Sequence, residues 1–315
     1  MKRFFVKLWV FVLPFLITLY GLDVFISKNL AKSNLADNST WKAIYNGTVN
    51  ADIVIYGASR ALQHIDPAIL EDTLHQSAYN LGIHAYNFEM QYLRHKLFLK
   101  YNKKPKLIIC SLDFMTFQKR ADLFNPGQFL PYMLFDSLMR KYTADYIGYK
   151  YCDYVIPLVR YYGQGQYIHS AVSLAISKTP NDADRAKGYY GTEQQFIPVF
   201  NEGAKDQRPY YDIKFDELSI QLFDRYLAEC KAANIKVVFV YTPEYIYAHK
   251  FIRNRKQLFD LIHHFSEKYN IPLYDYSSDP MCNNTAYFYN SEHLNRAGSQ
   301  LFSKKLASDL KRDVH

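Results

Sequence analysis

The sequence predicts an α/β fold: a three-layer α/β/α sandwich around a central, mostly parallel sheet, preceded by an N-terminal transmembrane helix. Three observations carry this. Short apolar strand runs alternate with helix-periodic segments in the order β–α–β–α–β, an interruption, then α–β–α–β–loop–α, the rhythm of a parallel sheet with crossover helices. The runs at 106–113 and 235–241 are apolar without alternation at their centres, as in strands covered on both faces. Hydrophobic residues make up 49% and charged residues 22% of the 315, enough apolar material for a large core and too much for a disordered chain.

Residues 4–22 form an apolar stretch led by Lys2 and Arg3 and interrupted only by Lys7. Its length is close to that needed to cross a bilayer, and Lys7 can snorkel at the inner edge. The basic lead places the N-terminus in the cytoplasm and the remainder outside. Around residues 20–24 no small-x-small cleavage pattern stands out, so the reading is an uncleaved signal anchor over 1–25. A polar stalk and lead-in follow over 26–50, and the main domain takes 51–315.

Within that domain Ile53–Tyr56 is the first strand. A helical stretch from Ala61 to Leu74 is broken at Ile65, where Asp66 caps a fresh start and Pro67 suits the first helical position. A second short strand covers 77–82, a crossover helix 88–98 and the third strand 106–113. Residues 114–215 lose the rhythm; helices are expected at 129–140, 146–162 and 170–177, with short strands or loop at 188–192 and 196–200. This insertion reads as a lid, a substrate groove or packing over the sheet edge. Order returns with an amphipathic helix through Leu218, Leu222 and Tyr226, a strand at 235–241, a helix at 255–268, a strand at 271–275 and a final helix at 296–310.

The formal charge of +8 is spread along the chain. No basic run alternates with aromatics and no helix carries a one-sided basic stripe, so no nucleic-acid partner is read; an anionic envelope polymer or lipid surface fits the charge. Aromatic content of 17% fits either a tyrosine-rich core or a groove that stacks on sugar rings. The four cysteines form no CxxC pair; Cys110 reads as a buried apolar residue, and Cys152 with Cys282 is the pair an oxidising compartment would bridge. No ligand cluster, P-loop or dinucleotide fingerprint is present, so neither a metal nor a cofactor is read.

The chemistry centres on Gly57–Ala58–Ser59–Arg60, directly after the first strand. A hydroxyl there sits at the carboxyl end of the sheet, where open α/β folds bind ligands, and at a helix start, where N–H groups favour developing negative charge. A serine nucleophile needs a base. His293, in the loop after the last strand, is the candidate.

Gly57–Ala58–Ser59–Arg60 followed by His64–Ile65–Asp66–Pro67 resembles the first block of the SGNH/GDSL hydrolase superfamily. More closely it resembles the membrane-anchored, extracytoplasmic members related to the D-alanyl-lipoteichoic-acid protein DltD and to alginate O-acetylation proteins. The family's late Asp-x-x-His-Leu-Asn-x-x-Gly block is similar to Asn290–Ser291–Glu292–His293–Leu294–Asn295–Arg296–Ala297–Gly298. The resemblance covers residues 50–113 and 216–310 and implies an SGNH hydrolase-like, flavodoxin-like fold. It implies Ser59 as nucleophile, His293 as general base and Gly82 as an oxyanion donor. The family's Gly-x-Asn has no clean counterpart; Asp113 stands near its place, and Asn80 or the Ser59 N–H is the alternative donor. Asn290 replaces the expected Asp: its oxygen can orient the imidazole but cannot balance an imidazolium, and Glu292, Asp275 or Asp279 are the nearby carboxylates able to substitute. Arg60 is read as pairing with Asp66 or Asp113 or meeting an acidic substrate. Asn295 is read as a second substrate-binding candidate or a turn residue.

Two functions are therefore carried forward. One is a serine-dependent O-acyl esterase or O-acyltransferase acting on an envelope glycan, polysaccharide or lipid-linked substrate outside the cytoplasm, with a membrane-bound acyl-transfer protein as partner by resemblance. The other is a catalytically weakened or inactive protein of the same fold that binds glycan.

Overall fold

The computed structural model describes residues 2–177, 185–197 and 210–314. In chain order these form α1 (Lys2–Leu30), α2 (Asp37–Tyr45), β1 (Ile53–Tyr56), α3 (Ser59–His64), α4 (Pro67–Leu74), β2 (Ala78–Asn80), α5 (Phe88–Tyr101), β3 (Leu107–Ser111), α6 (Ser137–Thr143), α7 (Tyr151–Val155), α8 (Gly165–Ile176), α9 (Glu217–Ala232), β4 (Lys236–Tyr241), α10 (Arg255–Tyr269), β5 (Leu273–Asp275) and α11 (Arg296–Val314). They group into two compact units, one of residues 1–42 and 121–183, the other of 43–120 and 184–315.

The second unit is built on a five-stranded, all-parallel sheet of order β2-β1-β3-β4-β5. Ile53 is level with Ala78 on one side and Leu107 on the other. Strand side chains alternate between faces. Ile53, Ile55, Leu107, Ile109, Val238 and Val240 join Leu70, Phe302 and Leu306 in one core layer under α3, α4 and α11. On the opposite face Phe239 meets Phe223 of α9, which packs edge-on against Phe88 of α5 and Phe265 of α10. Both faces are thus covered, which is why the central strands carry unbroken apolar runs.

The first unit holds the long apolar helix. Among the described residues one helix, α1, has the length and apolarity to cross a membrane, over Lys7–Leu30. The helix continues past residue 25 because Asp23 and Ser27, one turn apart, are held there. Both side-chain nitrogens of the Arg160 fork reach the Asp23 carboxylate at 2.7 and 2.8 Å, and the Ser27 hydroxyl bonds Asp23 and Tyr161.

Inside 114–215 the elements differ from expectation. Residues 129–135 are turns, with Pro131 among them, and the extended Asp136 caps α6 one residue before it starts. The stretch 146–162 is divided: α7 ends before Pro157, and a short 3-10 turn follows at Val159–Tyr161. Residues 188–197 carry only an isolated bridge, Ala186 with Tyr189; the rest of the strand expected at 196–200 lies outside the described residues. All four cysteines are free, with Cys110, Cys230 and Cys282 buried.

Candidate active site

Ser59 is the first residue of α3, reached from β1 through Gly57. Gly57 has φ +152°, and a Cβ there would stand 2.6 Å from Ala61 Cβ and 2.7 Å from Ser111 O. Only glycine fits a turn that brings α3 this close to β3. His293 arrives from the other end of the chain, in the loop before α11. The structure brings the two together: Ser59 Oγ lies 2.7 Å from His293 Nε2.

The protonation pattern of the imidazole follows from Asn290. Its Oδ1 accepts the backbone N–H groups of Glu292 and His293, both at 2.9 Å, so the oxygen is the atom facing the loop. The same oxygen is 3.1 Å from His293 Nδ1. An oxygen can only accept, so Nδ1 carries the proton and Nε2 presents its lone pair to the Ser59 hydroxyl. Tyr289 stacks on the ring at 5.5 Å and 16°, its own hydroxyl fixed by Gln63 at 2.7 Å, while His64 meets it edge-on at 6.0 Å. Burial, with the positive charge of Arg60 and His84, pulls the His293 pKa down to about 3. The ring is neutral at pH 7, as a proton acceptor must be, but it is a weak base, and the oxygen that orients it belongs to an uncharged amide. Asp275 accepts from Ser277 N–H, while Asp279 caps Met281 and pairs with Lys305.

Several expected roles are corrected. Arg60 is 2% exposed and does not face a substrate. Its Nη1 pairs with Glu244 at 3.0 Å, its Nε donates to Thr242 Oγ1 at 3.1 Å, its Nη2 donates to Thr242 O, and the guanidinium lies over the Tyr241 ring. Asn295 caps α11: its Oδ1 accepts from Gly298 N–H and its Nδ2 donates to Ala286 O. Both amide hydrogens of Asn80 go to carbonyls, Ala61 O at 2.7 Å and Ile65 O at 2.9 Å, and its Oδ1 takes the Gly82 N–H at 2.9 Å. Neither Asn80 nor Gly82 therefore has a donor to offer an oxyanion. Burial raises the Asp113 carboxyl, but its Oδ1 accepts Met115 N–H at 2.8 Å and shapes the turn after β3. Among the described residues the Ser59 N–H, at the open end of α3, has no acceptor, and of the expected oxyanion donors it alone remains.

His64 was not singled out by sequence reasoning as a site residue. Leu294 N–H donates to its Nε2 at 3.0 Å, so its Nδ1 carries the proton and donates to Thr242 Oγ1 at 2.8 Å. Burial, then Arg60 and His293, hold it well below the usual histidine range. A buried chain Arg60–Thr242–His64–Leu294 thus ties the helix carrying Ser59 to the end of β4 and to the residue after His293. Its sequence signal is faint: Arg60 and His64 are four apart on one helix, and Thr242 and Glu244 stand where the β4 run ends.

No protein-family model matches this chain, and no curated protein matches it significantly. Among solved structures it is similar to one described as a "putative acylhydrolase" from Bacteroides fragilis, with 11% sequence identity and a TM-score of 0.33, over 82% of this chain and 88% of that one. A likeness at that level bears on neither mechanism nor substrate, which rest on the geometry above.

Proposed function

We propose that the protein is a serine-dependent O-acyl esterase or O-acyltransferase, anchored by α1 with its N-terminus in the cytoplasm and acting outside it on an envelope glycan, polysaccharide or lipid-linked ester. The observation that carries the reading is the 2.7 Å contact between Ser59 Oγ and a His293 Nε2 whose lone pair is turned toward it by Asn290. Ser59 Oγ attacks the ester carbonyl while Nε2 takes its proton. The Ser59 N–H stabilises the oxyanion, with the open end of the sheet around it. Collapse expels the alcohol, which takes the proton from His293, and leaves an acyl-serine. Water or a sugar hydroxyl then attacks with His293 again as base, giving hydrolysis or transfer. The strand order 2-1-3-4-5 and the Ser–His pairing across its carboxyl edge agree with the SGNH, flavodoxin-like resemblance of the sequence. By that resemblance a membrane-bound acyl-transfer protein is its partner.

A second reading is favoured by Asn290 and by the engagement of Asn80 and Gly82 in internal bonds: a glycan-binding protein that keeps the geometry without turnover. A serine-reactive fluorophosphonate separates the two. The enzyme reading expects labelling of the wild-type chain, none of Ser59→Ala, and labelling of His293→Gln slowed by about 10²-fold or more. A folded wild-type protein that takes up no probe while still retaining polysaccharide on a column supports the binding reading instead.

A further inference from the structure

Helix α8 has an apolar flank that nothing in its own unit covers. Ile168, Val172 and Ile176 recur every four residues and are 37%, 41% and 78% exposed. His169 and Ser173 border this flank and are exposed, Gln166 and Ser170 are exposed further round, and Ala171, with Tyr167 and Leu174 beside it, faces inward. No Asp, Glu, Lys or Arg occurs in the helix. It packs against α1. Along the span of α1 before Asp23, Val12 and Leu19 are the described residues that are half-buried while their neighbours are exposed, and their spacing of seven puts them on one side.

We propose that α8 is a second membrane contact: an amphipathic helix lying in the lipid–water interface beside α1, with Ile168, Val172 and Ile176 among the acyl chains of the leaflet. This rests on reading α1 as the membrane anchor. Bilayer lipid is the occupant because α8 packs against α1, whose Phe11, Phe15 and Ile17 are each more than half exposed along the span long and apolar enough to cross a membrane. Leaving these three aliphatic side chains facing water is unfavourable relative to burying them. The helix does not cross: its 12 residues span about 18 Å against a hydrocarbon core of about 30 Å. Its polar flank would also lie unpaired in hydrocarbon, whereas at the interface it reaches headgroups and water. Part of the insertion thereby sets how the first unit meets the bilayer, a role distinct from the chemistry at Ser59.

The test uses the full-length chain with Cys152→Ser, reconstituted in phosphatidylcholine–phosphatidylglycerol vesicles containing acyl-chain-brominated lipid. An environment-sensitive fluorophore is attached at a single introduced cysteine replacing Val172, Ile176, Ser170, Phe11 or Lys256. Bromine quenching at Val172 and Ile176 is expected to be at least about threefold that at Ser170 and Lys256 and to approach that at Phe11. Quenching at Phe11 with Val172 and Ile176 no different from Lys256 overturns the proposal, including in favour of a protein covering the flank, and leaves the anchor standing. Equal, strong quenching at Ser170, Val172 and Ile176 also overturns it, since the helix would then be immersed. No quenching at Phe11 removes the anchor reading and this inference with it.

Discussion

A proton on Nδ1 of His293 is what leaves Nε2 free to accept from Ser59, and a single amide oxygen keeps it there. Asn290 Oδ1 also holds the two backbone N–H groups of its own turn, so it orients the ring without supplying charge. Replacing Asn290 by Asp leaves the three hydrogen bonds in place and adds a negative charge beside the ring, which favours imidazolium. The acid limb of the labelling or hydrolysis rate is therefore expected to move up from near 3 toward neutrality, and the rate at pH 7 to rise at least about tenfold, against a loss of about 10⁴ when a serine-protease triad loses its carboxylate charge. Rate measurements from pH 4 to 9 read both effects, with wild type expected to show no acid limb inside that range and Asn290→Asp to show one. An unchanged limb would mean that His293 is not the titrating base. The roles of Asn80, Gly82, Asp113 and Arg60 were not legible at this scale, because sequence gives a residue's type and not the partner that uses up its donors. Asn80 and Arg60 carry hydrogen-bonding groups suited to a site, and here those groups are spent holding α3 in place.

At the scale of elements, the junction from β1 to α3 is the least tolerant point of the site. An alanine at Gly57 meets Ala61 Cβ and the Ser111 carbonyl and must also take φ +152°. Overpacking and backbone strain together put the expected loss for Gly57→Ala at about 3 kcal/mol, read as a fall in the urea midpoint, whereas Gly165→Ala, with open space at its Cβ, is expected to change it little. A Gly57→Ala midpoint equal to wild type would show that the junction relaxes freely. The strands of this sheet were legible because apolar runs such as 106–113 and 235–241 are buried on both faces, and Asp66–Pro67 announced the start of α4, where Asp66 Oδ1 accepts Ala68 N–H. The helices of 121–176 were read less well. There short elements are set by local caps such as Asp136 and by Pro131 and Pro157, and α8 carries no charged residue to mark its polar side, so its start was harder to place.

On the whole-molecule scale, the second unit folds around three buried histidines that are neutral in the native state. Burial, with Lys96, takes His95 down to about 3; its ring lies edge-on to Tyr226 and its Nδ1 is 3.3 Å from the Tyr56 hydroxyl. His293 is at about 3 and His64 well below its usual 6.5. The unfolded chain takes up protons at these rings near pH 6.5, while the folded chain does so only far below. Their contribution to stability is therefore complete above about pH 6.5 and is lost as pH falls toward the folded-state values, by about 1.4 kcal/mol per pH unit for each ring that titrates only on unfolding. Asp66 and Asp113, whose carboxyls burial raises, work in the opposite sense. Their window opens from 3.8 upward, so they offset the histidines only in part. Urea unfolding of the full-length chain in detergent is expected to show stability level from pH 8 to 7 and falling steadily from 6.5 to 4. The His95→Gln variant, which leaves the Ser59–His293 pair untouched, should lose close to a third of that slope whatever its stability at pH 8. A slope unaltered by His95→Gln would mean that His95 already carries a proton in the folded protein, and a wild-type curve flat from pH 7 to 4 would mean the same of all three rings, so that His293 would cease to be a base held ready for Ser59.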